Sequence, residues 1–76
     1  MLDPVTTFPF RLRVAMAIKG VNIKTLAEAC GVSSTCAWSW YHGIHFPTAP
    51  NLAYACYVLG VSADWLIGLD KREVTA

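Results

Sequence analysis

The chain has 76 residues and a formal net charge of +1, with 55% of its residues apolar and only 14% charged. One small domain is the most this length supports. Ordinary soluble domains carry about 25% charged residues, so apolar surface beyond the core is expected to serve a partner.

The predicted elements follow a regular punctuation. Residues 1–7 read as an N-terminal extension, and residues 8–69 as the folded domain. Thr7 is expected to cap a first helix, with Pro9 in its opening turn, where no backbone donor is needed. That helix runs to Lys19 and stops at Gly20. Asn22 caps a second helix from Ile23 to Cys30, closed by Gly31. Ser33 caps a third, reaching about His42 before Gly43. Thr48, with Pro50 behind it, opens a fourth that Gly60 ends. Ser62 opens a short fifth that ends at Gly68. The tail 70–76 begins Asp70, Lys71, Arg72, Glu73 and reads as solvated. No segment alternates with period two, so the fold class is all-α.

The longest apolar stretch, Leu52 to Leu59, falls far short of the ~20 residues of a membrane-crossing helix. The N-terminus lacks the basic start and apolar run of a signal peptide. A cytoplasmic protein is therefore expected. Cys30, Cys36 and Cys56 form no C-x-x-C pair, and His42 and His45 have no cysteine doublet beside them. Free thiols are expected, with no metal and no cofactor.

The most informative stretch is Leu26-Ala27-Glu28-Ala29-Cys30-Gly31-Val32-Ser33. Two helices meeting steeply need a small side chain such as Ala27 at the contact, and a glycine such as Gly31 in the turn. Val32 plugs the joint. With Leu12, Gly20, Trp40, Gly43, Pro47, Leu52, Leu59-Gly60-Val61-Ser62 and Trp65-Leu66 at their spacings, the chain resembles the Cro and lambda-repressor-like helix-turn-helix family from about Phe10 to Gly68. The resemblance implies a compact five-helix domain with the motif at helices 2 and 3. It also implies a phage-type transcriptional regulator that reads an operator in double-stranded DNA with helix 33–42. With no effector domain expected after it, the chain would be a minimal regulator of the Cro kind.

By position, the resemblance assigns base reading to Ser34, Thr35 and Ser39 and places Ser33 and Lys24 near phosphates. Positions 34, 35, 38, 39 and 42 also form one helical stripe, with Ala37 and Trp40 facing inward. Ser34, Thr35, Trp38, Ser39 and His42 are the candidate groove residues. Short hydroxyls can pair with base edges. Trp38 either lies against sugar and thymine methyls, inserts beside a base step, or packs on Tyr41 or a partner chain. Where the family often has a phosphate-binding glutamine, this chain has Ile23, so Asn22, Lys24 and the helix N-terminus are expected to take that contact. Arg11 or Arg13, and His45, would add further phosphate contacts. A family ion pair is replaced by Met16 and Tyr41, read as a methionine–aromatic contact.

Apolar residues Val14 and Ile18 on the first helix, and Tyr54, Tyr57 and Val58 on the fourth, predict an interface, a homodimer by expectation. No catalytic constellation is legible: Cys36 and His42 are not helical neighbours, and no glycine-rich phosphate loop follows a strand. Neither enzymatic activity nor a small-molecule substrate is expected. The low charge also fits a different class, a protein-interaction module on the same scaffold such as an antirepressor or host-directed inhibitor.

Overall fold

In the computed structural model, residues 3–69 are described. The predicted tail at Asp70, Lys71, Arg72 and Glu73 lies outside them. Five helices follow one another: α1 (Pro4–Lys19), α2 (Ile23–Cys30), α3 (Ser34–Tyr41), α4 (Ala49–Leu59) and α5 (Ala63–Ile67). No strand occurs among the described residues, and no described helix is long and apolar enough to cross a membrane.

Local chemistry sets most of the boundaries. Asn22 Oδ1 accepts from the Thr25 N–H at 2.8 Å, Ser33 Oγ from Cys36 N–H at 3.1 Å, and Ser62 Oγ from Trp65 N–H at 3.1 Å. Each satisfies one donor that a helix start leaves orphaned. Thr48 occupies the cap position of α4 without a side-chain hydrogen bond.

The start of α1 corrects the expectation at Thr7. Asp3 is the cap, its carboxylate accepting from Val5 N–H at 3.0 Å, and Pro4 takes the first helical position. Residues 4–7 thus belong to the helix instead of an extension, and the Thr7 N–H donates to the Asp3 carbonyl at 2.8 Å. Pro9 then sits in the helix interior, where it removes the bond to the Val5 carbonyl. Tertiary packing holds this turn helical. Phe8 and Pro9 are both buried, and a Cβ on Gly43 would come within 3.0 Å of the Pro9 ring. Any other side chain would crowd that ring, and it would also be strained by the left-handed backbone of Gly43, φ +74°.

The core is drawn from every helix. Leu12 and Met16 of α1, Leu26 and Ala27 of α2, Ala37 and Trp40 of α3, Ala55 and Leu59 of α4, and Trp65 and Leu66 of α5 form one cluster. Truncating a residue such as Leu26 to alanine would cost about 2–5 kcal/mol.

The α2–α3 corner is tight. Gly31 takes the left-handed conformation (φ 69°, ψ 32°), and its N–H reaches back to the carbonyls of Ala27 and Glu28. Val32 N–H then donates to the Ala27 carbonyl at 3.0 Å, and Ser33 starts α3. Ala27 is buried at the contact, while Val32 packs half-buried against the core.

Candidate nucleic-acid interface

With Ala37 and Trp40 locked into the core, α3 presents its opposite side outward. Ser34, Thr35, Trp38 and His42 are all exposed there, and Ser33 is exposed at the cap. None of the residues of α3 is charged. His42 ends the helix, and its ring lies 4.2 Å from that of Trp38. The face thus carries two small hydroxyl side chains on its first turn and an aromatic pair on its second.

Ser39 does not share this face, which corrects its assignment as a base reader. It is only 8% exposed, and its hydroxyl donates to the Cys36 carbonyl at 2.6 Å. The Ser39 carbonyl accepts from Ile44 N–H at 2.9 Å and more loosely from His45 N–H at 3.4 Å. Ser39 is covered because the connection after α3 folds back over it. The stripe drawn from helical periodicity is narrower than five residues.

That returning connection supplies residues that sequence patterning did not select. Ile44 and Phe46 are exposed, and with Ser33, Thr35, Cys36, Trp38 and His45 they border an open hollow of about 500 Å³. Phe46 is anchored behind by an edge-on contact with Phe8, ring centroids 5.6 Å apart. The available signal was two large apolar side chains in a four-residue irregular connection, where polar residues are usual.

A second hollow, of about 530 Å³, lies at the start of α2 and is bordered by Arg13, Asn22, Ile23, Lys24 and Tyr41. Asn22 and Lys24 are exposed, but the Asn22 side chain already serves as the cap. Lys24 stands at a helix start whose dipole favours anions. Arg13 reaches the same place from α1, its guanidinium donating to the Tyr41 carbonyl at 2.8 Å and standing 5.7 Å from the Tyr41 ring. Met16 and Tyr41 both border this hollow, and the group standing over the Tyr41 ring is the Arg13 guanidinium.

Arg11 is corrected as a phosphate contact. It is 9% exposed, donates to the Trp65 carbonyl at 2.5 Å, and holds its guanidinium 4.8 Å from the Trp65 ring centroid. Its charge is committed inside the protein. The Trp65 indole N–H, also buried, has no hydrogen-bond partner among the described residues.

The predicted interface residues fall into two groups. Ile18, Tyr54 and Tyr57 are exposed, Tyr57 at 88%, whereas Val14 and Val58 are half-buried. Phe10, which sequence patterning did not single out, is exposed on α1.

The three cysteines are free thiols. Burial pushes the Cys30 thiol up, with a smaller push from Cys36, and burial alone pushes Cys56 up. Both stay protonated at neutral pH and behave as small apolar groups. Among the described residues no three His, Cys, Asp or Glu side chains gather into a metal-binding group. The chain matches no protein-family model, no curated protein sequence and no solved structure.

Proposed function

We propose that this chain is a Cro-like, double-stranded-DNA-binding transcriptional regulator on a lambda-repressor-like fold, with α2 and α3 as its helix-turn-helix and α3 as the reading helix. One observation carries the reading: α3 is held by a glycine-locked corner so that Ser34, Thr35, Trp38 and His42 project together from the protein surface. An α-helix fits the major groove of B-DNA, and hydroxyl side chains near its N-terminus can pair with base edges. Lys24, His45 and the starts of α2 and α3 supply phosphate contacts around it. Of the two arginines the sequence offered for this role, Arg13 is the one that opens onto this rim. With Lys24 and Arg13 as the cations at this face, the log–log salt slope per protomer is shallow, about −2. Affinity per protomer is low, and pairing of two copies through Ile18, Tyr54 and Tyr57 would match a palindromic operator.

The test is selection of bound duplexes from a random pool, followed by fluorescence anisotropy at low and moderate salt. Enrichment of a defined motif with a shallow salt slope is expected. No binding at low salt would discard the reading.

A second reading is favoured by Trp38, Ile44 and Phe46, exposed apolar side chains around one hollow beside an uncharged α3. Such a surface also fits a module that docks a protein, as an antirepressor or host-directed inhibitor would. Failure to enrich any duplex, with capture of a specific protein through this face, would favour it.

A further inference from the structure

Trp38 is a large apolar side chain on the outer face of α3, and it is 46% exposed. Its ring is not a loose side chain. His42, one helical turn on, packs against it with centroids 4.2 Å apart and planes at 43°. His42 meets Tyr41 edge-on at 5.2 Å, and Tyr41 is gripped by Arg13 through both its ring and its carbonyl. A continuous series of contacts therefore runs from α1 through Tyr41 and His42 to the indole. It fixes the attitude of a flat apolar surface beside the hydroxyls of Ser34 and Thr35.

The surroundings are graded. The uncharged middle of α3 holds the indole, with Lys24 and Arg13 around the hollow that borders Tyr41 and with His45 in the hollow that borders Trp38. A neutral helix face with the cations Lys24 and Arg13 to one side of it complements a groove floor beside a phosphate strand. The major groove offers donors, acceptors and one apolar feature, the C5 methyl of thymine. The face of an indole ring pairs poorly with the polar edges and well with a methyl group.

Resting on the DNA-binding reading above, we infer that Trp38 is a specificity-determining residue that reads thymine methyl groups, with His42 as the positioning residue that holds its ring. The site preferred by this chain then contains at least one thymine per half-site whose methyl group, and not its hydrogen-bonding edge, is recognised.

Replacing thymine by deoxyuridine, one position at a time in the selected duplex, removes only the methyl and tests this directly. The wild-type protein should lose about fourfold in affinity at the contacted position, the order expected for burying one methyl-sized group. Trp38→Ala should bind the thymine and deoxyuridine duplexes equally. His42→Ala should lose much of the discrimination and His42→Phe, which keeps a ring there, should retain it. A merely structural role for His42 would move both duplex affinities together. Trp40 and Trp65 are buried, so acrylamide-quenchable emission comes mainly from Trp38, and bound duplex should shield it. Tight binding that ignores every deoxyuridine replacement, or a Trp38→Ala protein that keeps the wild-type discrimination, overturns the inference and leaves the DNA-binding reading standing. Absence of duplex binding altogether removes both.

Discussion

Arg11 and Arg13 stand two residues apart on α1 and do the same thing to different helices. Each donates to a backbone carbonyl and places its guanidinium near the aromatic ring of the same residue: Arg11 on Trp65 of α5, Arg13 on Tyr41 at the end of α3. What separates them is burial. Arg11 is enclosed, while Arg13 is half-buried and opens onto the hollow that also contains Lys24. In low dielectric a cation is worth most to the groups already around it; at a wet edge it can still be shared with an incoming anion. The same chemistry therefore encloses the cation at one position and, on the proposed DNA-binding reading, leaves it within reach of a phosphate at the other.

The sharpest way to break this contrast is Arg11→Ala. It leaves the buried Trp65 carbonyl without this donor and a void beside the indole, a loss of roughly 3 kcal/mol. For a domain of this size that lowers Tm by roughly 12–24 °C, readable by circular dichroism. A shift of a degree or two would show that Arg11 is not a structural clamp. Arg13→Ala should cost only about 0.5–1 kcal/mol, the order of one part-exposed hydrogen bond with a cation–π contact. Its effect should appear instead as weaker binding to all duplexes and a salt slope smaller by about one. Lys24→Ala should behave in the same way with no change in Tm. If Arg13→Ala unfolds the protein as severely as Arg11→Ala, the division of labour is wrong.

Smaller effects sharpen the face of α3. Thr35→Ala should alter the selected motif with little change in Tm. Ser39→Ala should leave the motif unchanged, because its hydroxyl is spent on the Cys36 carbonyl; the stability change should be about 1 kcal/mol or less. Duplex selection with both variants separates them. Smallest is an alkaline effect. Cys30 and Cys56 have thiol pKa values raised in the folded state, so their burial contributes stability that is complete below the ordinary thiol value and is lost as pH rises through the raised ones. Urea midpoints should fall with pH only in that alkaline range, and less so in a Cys30→Ala/Cys56→Ala protein.

Much of the fold was legible because caps and stops are local chemistry. Asn22, Ser33 and Ser62 need only their own next turn to act, and Gly31 needs only its own backbone. The start of α1 was misplaced by that grammar: Thr7 before Pro9 has the form of a cap, but Asp3 before Pro4 is the cap used. The earlier start is the one taken: the Asp3 carboxylate caps Val5 N–H, and Thr7 N–H donates to the Asp3 carbonyl from inside the helix. The outer face of α3 was readable for Ser34, Thr35, Trp38 and His42, which periodicity puts opposite Ala37 and Trp40. Ser39 lies near the edge of that stripe, and only the path of residues 44–46 determines that it is covered. The choice between Arg11 and Arg13, left open by the sequence, has the same origin: which arginine meets α5 and which meets α3 depends on how α1 crosses both helices, and neighbouring residues do not encode that.

Backbone amide chemical-shift mapping during titration with the selected duplex tests most directly whether α3 is the reading surface. Perturbations should concentrate at residues 22–24 and 33–38 and around His42 and His45, leaving Tyr54 and Tyr57 of α4 unaffected by DNA at constant oligomeric state. Shifts centred on α4 or on the start of α1, with residues 33–38 unmoved, would contradict it.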